Sequence, residues 1–240
     1  RHHKLMHAST MFFMVTGEGS FAKVVSAVEL LPTDYILKPF TADNMLERIA
    51  RALDKRNAFV PVYALIDVGN ERAAIAACAE GASLYPRYAT DFLRLRAELH
   101  LLLGEAADAE PIYAALYASK AIGWARLGQA KTQFLLGEYD AAQGTLEGLL
   151  ENNKRFLDAY DWLARTHLAQ GKPELAQAAL SEAVALSPHA VRRLRRLGEA
   201  ALAADDIETA EKALKLVVSK AKYSEFRDPA DHVRLVPPLV

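Results

Sequence analysis

The chain has 240 residues, 52% of them hydrophobic and 25% charged, with a formal net charge of −1. That balance suits one large or two ordinary globular domains, and it gives no global field to draw the molecule to nucleic acid or a membrane. The single cysteine, Cys78, excludes an internal disulfide, and no apolar run reaches the roughly 18 residues that cross a bilayer. No signal-peptide pattern opens the chain, so a cytoplasmic location is expected. The first residue is Arg1 rather than methionine, and the sequence reads as a piece of something longer.

Residues 1–10, RHHKLMHAST, read as a frayed helix end and a turn. The apolar run 11–15, bounded by Thr16 and Gly17, predicts a strand covered on both faces. Phe21, Val24, Val25 and Val28 then recur at helical spacing over 20–30, with Ser20 to cap and Pro32 to stop. Tyr35-Ile36-Leu37 reads as a second buried strand, ended by Lys38-Pro39-Phe40. Thr41 and Asp43 cap a helix to about Lys55, with Met45, Leu46, Ile49 and Leu53 on one face. Strand, helix, strand, helix is the order of a parallel sheet with crossover connections.

From about residue 57 the pattern changes. Asn57 is expected to cap a new helix, with Pro61 near its first turn. A turn residue then recurs at Gly69, Gly104, Gly137, Gly171 and Asp205, spaced 35, 33, 34 and 34 apart. Five positions after each comes an alanine: Ala74, Ala109, Ala142, Ala176 and Ala210. Seven before stand Val62, Ala97, Ala130, Ala164 and Gly198, and nine after stand Cys78, Tyr113, Leu146, Leu180 and Leu214. Paired helices cross closely only where both carry small side chains. A glycine between them supplies the left-handed conformation that ends the first helix. Repeats are expected over 57–86, 89–119, 120–153, 155–188 and 190–222. Residues 223–240 would cap the array or start a sixth repeat from Asp228-Pro229, ending at Pro237-Pro238.

This period and layout resemble the tetratricopeptide repeat (TPR). The expected fold is mostly α, a solenoid of TPR helical hairpins over 57–222 preceded by a partial α/β segment over 1–56. The first segment resembles the C-terminal half of a response-regulator receiver domain, on Met14-Val15-Thr16-Gly17-Glu18 and Asp34-Tyr35-Ile36-Leu37-Lys38-Pro39-Phe40. That resemblance implies that Thr16 and Lys38 contact a phosphoryl group, that a cis bond precedes Pro39, and that Tyr35 changes rotamer on phosphorylation. Asp34 and Glu18 do not match the phospho-accepting aspartate or the acidic metal pair. No cofactor is therefore expected in this chain, and Mg2+ only in an intact parent. The resemblance further implies a cognate histidine kinase for that parent, and a homodimer through Tyr35 and residues 43–55.

A repeat array offers the wall built by its first helices. At the positions facing it stand Tyr63, Arg94, Glu98, Trp124, Leu127, Lys131, Phe134, Asp161, Arg165, Arg192 and Arg195. Trp124, Leu127 and Phe134 form an apolar centre flanked by Lys131, Arg165, Arg192 and Arg195, which suits a partner with an apolar anchor and acidic flanks. The bland alternative pairs these charges among themselves, as Asp161 with Arg165 at helical spacing. The asparagines with which some TPR proteins clamp a carboxylate are missing from these positions. Two other readings stand beside the regulated scaffold. One is a constitutive adaptor whose receiver half only dimerises. The other touches nucleic acid through Arg192, Arg193, Arg195 and Arg196, although no recognition motif accompanies them. His3 and His7 lack a third ligand, and no catalytic constellation assembles, so neither a metal site nor an enzyme is expected.

Overall fold

The computed structural model describes residues 7, 9–17, 33–120, 122–222, 224 and 226–235. The helix expected over 20–30, its Ser20 cap and Pro32 stop, Glu18, His2, His3 and Pro237-Pro238 lie outside these residues. Strands β1 (Phe13–Thr16) and β2 (Asp34–Leu37) pair in parallel, Phe13 opposite Asp34 and Thr16 opposite Leu37. Burial on both faces is not what the strands show. Ile36 is buried, but Val15 and Leu37 are 38% and 45% exposed. Among the described residues the sheet has two strands, too few to bury both of its faces by themselves.

Helix α1 (Ala42–Asp67) starts where the sequence places it, the Thr41 hydroxyl accepting the Asn44 N–H at 3.2 Å. It then runs 26 residues without interruption, so the expected new start at Asn57 is wrong. Ala58, Phe59 and Val62 are buried and carry the apolar face straight on. Pro61 sits inside the helix. It and Asn57, whose carbonyl loses its donor to the proline, are both exposed, so water can serve that carbonyl. The boundary read between residues 56 and 57 falls within this single helix.

The helical hairpins follow the repeat frame. Their elements are α2 (Glu71–Leu84), α3 (Ala89–Leu102), α4 (Ala106–Lys120), α5 (Gly123–Leu135), α6 (Tyr139–Asn152), α7 (Leu157–Ala169), α8 (Pro173–Leu186), α9 (Val191–Ala203) and α10 (Ile207–Ala221). A 3-10 turn, Pro86–Tyr88, precedes α3, and a five-residue helix, α11 (Ala230–Arg234), follows α10. All five turn residues have positive φ, from 57° at Asp205 to 81° at Gly137. At four of these turns the residue after the turn donates its N–H back to the carbonyl five before it, as Asn70 does to Leu65 and Asp206 to Ala201. Those bonds satisfy carbonyls that the helix end leaves without partners.

The described residues divide into two compact units, one up to Leu136 and one from Gly137 onward. In the first unit, α1 packs on α2, α2 on α3, α3 on α4 and α4 on α5. In the second, α6 to α11 pack successively in the same way. The repeat alanines 74, 109, 142, 176 and 210 are all buried, as are the large residues nine after each turn. Close approach is literal at Gly128 and Gly198. A Cβ on Gly128 would collide with the Tyr113 ring, and one on Gly198 would stand 2.7 Å from Leu214 Cγ. Phe92, fully buried, stacks on Phe59 with centroids 3.8 Å apart. Cys78 lies in the same core cluster, where burial pushes its thiol up to about 11, an inert position.

Candidate functional site

In the first unit, the expected wall residues come from α1, α3 and α5. The Arg94 guanidinium lies 4.9 Å from the Trp124 ring centroid, a cation–π contact between the first helices of successive hairpins. Arg94 also donates to Glu98 one turn on, at 2.8 Å. Trp124 is half-buried, its inner edge packed against a cluster of Ala97, Ala109 and Tyr113. Tyr63 is half-buried on α1, its ring 5.7 Å from Phe59. Lys131 and Phe134 are half-buried on α5. Leu127 is only 4% exposed, so it supports this surface from beneath and does not line it.

In the second unit, the four expected residues are largely committed internally. Asp161 on α7 accepts from Arg193 at 2.9 and 3.3 Å and lies 3.3 Å from Arg196. These partners lie on the next hairpin, where spacing along one helix could not place them. The Arg193 side chain is 4% exposed, so Asp161 is needed to neutralise a buried charge. Arg165 stacks over Trp162 at 4.3 Å. Its pKa is held down by burial and then by Arg196 nearby. Arg195 donates to both oxygens of Asp231 at 2.7 and 2.8 Å, and to the Phe226 carbonyl at 2.7 Å. Arg192 lies 4.9 Å over the Phe226 ring, and Arg234 pairs with Glu199 at 3.0 Å. The C-terminal segment thus covers the first helix of the last hairpin. The four-arginine cluster is tied into internal pairs and stacks, and does not present an open row of charges.

In the N-terminal segment, Thr16 ends β1 and Lys38 follows β2 directly. The Lys38 N–H donates to the Thr16 carbonyl at 2.8 Å, and the Lys38–Pro39 bond is cis, as expected. Lys38 and Pro39 are exposed, while Tyr35 is half-buried.

Two features escaped the sequence reading because both are assembled from separate elements. Asp34 at the start of β2 meets Arg48 of α1 in a bidentate pair, both contacts 2.6 Å. Burial works against the Asp34 carboxylate, but Arg48 and the Tyr35 N–H outweigh it and hold the group below its usual range. His100, Glu105 and Asp108 cluster at the turn between α3 and α4, with ligand atoms within 4.8 Å. Arg72 also pairs with Glu105 there, so a cation already occupies that carboxylate. His7 pairs with Asp67 at 3.1 Å. Among the described residues, no helix is long and apolar enough to cross a membrane.

Family models of the tetratricopeptide repeat match residues 91–115, 123–147 and 167–225. No curated protein matches the chain in sequence. Among solved structures, the fold is similar to that of TTC0263, a TPR protein of Thermus thermophilus. That match has a TM-score of 0.59 at 18% identity and covers 75% of this chain and 96% of that one. MamA (41-end) of Desulfovibrio magneticus RS-1 matches with a TM-score of 0.57 at 17% identity, covering 71% and 96%. YrrB, described as a TPR protein with an unusual peptide-binding site, matches with a TM-score of 0.51 at 12% identity, covering 78% and 97%.

Proposed function

We propose, from the premise that this chain is an array of tetratricopeptide repeats, that it is a non-enzymatic scaffold binding a partner protein or peptide. The Arg94–Trp124 contact carries the reading. Tryptophan and arginine dominate binding energy at interfaces, and here a half-buried ring with a cation over it bridges two hairpins. Tyr63, Glu98, Lys131 and Phe134 extend the surface in the first unit. In the second, Arg165, with Asp161 beside it, is the offered group. Arg192 and Arg195 become available only where the C-terminal segment yields.

The receiver-like segment would place this scaffold under phosphorelay control in a cytoplasmic two-component system. The Thr16–Lys38 adjacency and the parallel pairing of β1 with β2 support that reading. On that reading, phosphorylation would require an acceptor aspartate, Mg2+ and a cognate histidine kinase. Exposed Leu46 and Leu53 on the first half of α1, at 64% and 40%, support a homodimer through that face.

Selection of peptides from a random display library on the full chain tests the scaffold. Selected peptides should bind Trp124→Ala and Arg94→Gln at least about tenfold more weakly than wild type. Equal binding by both variants would remove the reading. In a parent carrying the acceptor half, a small-molecule phosphodonor with Mg2+ should shift peptide affinity. Unchanged affinity there would favour the constitutive adaptor.

A further inference from the structure

A cleft of about 560 Å³ opens in the first unit, between residues 9–11, the start of β2, the first half of α1 and the 3-10 turn before α3. That volume lies in the usual range for small-molecule sites, roughly 300–1,000 Å³. Its lining is unusual in charge. Arg48, Arg51, Lys55 and Arg56 come from α1 at offsets of three, seven and eight, which puts them on one side of the helix. Arg87 adds a fifth cation from the 3-10 turn, and the lining holds a single carboxylate, Asp34.

The local pairs do not all neutralise this charge equally. Asp34 is committed to Arg48, and Lys55 meets Asp91 at 2.6 Å. Arg51–Glu47 and Arg87–Asp54 are long, at 3.6 and 3.5 Å, and all four side chains are more than half exposed. Such pairs hold little energy and yield to a better acceptor. Arg56 donates its Nε–H to the Ser9 carbonyl at 3.0 Å, and among the described residues no carboxylate pairs with it. Thr10, Thr33 and Asn44 add polar groups to the wall, and Tyr63 and Tyr88 add aromatic faces. Several guanidinium groups converging on a concave, partly desolvated space match the forked, multiply charged acceptors of linked phosphates better than one carboxylate.

We propose that this cleft binds a small molecule bearing a di- or triphosphate chain, with Arg56 and Arg51 gripping the phosphates and Arg87 reaching them from the 3-10 turn. This site shares Tyr63 with the proposed peptide surface but does not rest on that reading.

Isothermal titration of the full chain with pyrophosphate and, separately, with a nucleoside triphosphate tests the proposal, at about 50 mM and about 200 mM salt. At least one should bind at sub-millimolar concentration, more weakly in the higher salt. Arg56→Gln and Arg51→Gln should each weaken binding about tenfold, the usual loss for one charge-assisted hydrogen bond. Arg72→Gln, on α2 and outside the cleft, should leave it unchanged. Arg51 is exposed, so its variant keeps the fold even if the Arg56 variant loosens the Ser9 contact. Equal affinity for both ligands assigns recognition to the phosphate chain. Tighter binding of the nucleoside triphosphate adds the tyrosine walls. Absence of binding at millimolar ligand, or identical affinity in wild type and both cleft variants, would overturn the site.

Discussion

Gly171 and Gly128 do opposite jobs with the same side chain. Gly171 sits at φ 71° with nothing within 4 Å of where a Cβ would go, so only its backbone requires glycine. Gly128 has ordinary helical geometry, and the Tyr113 ring occupies the space of a Cβ. The two should therefore respond differently to substitution. Gly171→Ala should destabilise by about 1–2 kcal/mol. Gly171→Asn should recover much of that, because asparagine tolerates the left-handed region. Gly128→Ala should cost about 1–3 kcal/mol through overpacking, and Gly128→Asn should be worse still. Urea midpoints of the four variants check this, and an asparagine that helps equally at both sites would contradict it. Asp205 shows that the turn accepts a non-glycine residue at φ 57° when a short polar side chain provides it.

At the scale of one element, α10 is held at its start by Asp206, whose carboxylate accepts the Thr209 N–H at 3.0 Å and the Gln177 amide at 2.6 Å. The Thr209 N–H bond is the main reason its pKa lies below the usual aspartate value. A carboxylate whose folded pKa is depressed stabilises the protein above its unfolded pKa of about 3.9, and that contribution fades as pH falls through the folded value. Asp206 should therefore titrate by NMR below about 3.9. Asp206→Asn, which still caps, should remove this share of the acid dependence of stability. A midpoint at or above the usual value would refute the assignment. α1 teaches a second lesson at this scale. Its two halves carry different burial, exposed Leu46 and Leu53 before buried Phe59 and Val62, within one unbroken helix.

Over the whole molecule, each helix packs on its neighbours in sequence within its own unit, so stability propagates locally. Leu214 is fully buried against Gly198. Leu214→Ala should cost about 2–5 kcal/mol. Its effect on amide exchange should fall on α7 to α10 and leave α1 to α4 protected. A uniform loss of protection along the chain would show instead that the array unfolds as a single cooperative body.

By itself, the sequence determined the hairpins. A five-fold recurrence of alanine and glycine is a local packing rule, so Gly69 through Asp205 fixed the turns and their handed backbone without reference to anything distant. The buried residues nine after each turn followed from the same frame. The site was only partly legible. Surface positions could be assigned from the repeat frame, which found the Arg94–Trp124 face, but their partners could not. Arg195 meets Asp231, Arg193 meets Asp161 and Asp34 meets Arg48 across separations of 14 to 36 residues. Long charged side chains reach in many directions, and spacing along one helix cannot say which neighbour they will find. The continuity of α1 through Asn57 and Pro61 was likewise a tertiary decision, because a buried apolar face outweighed the local signals for a new helix start. Which charges face solvent, and therefore what this protein can hold, was settled only when the helices came together.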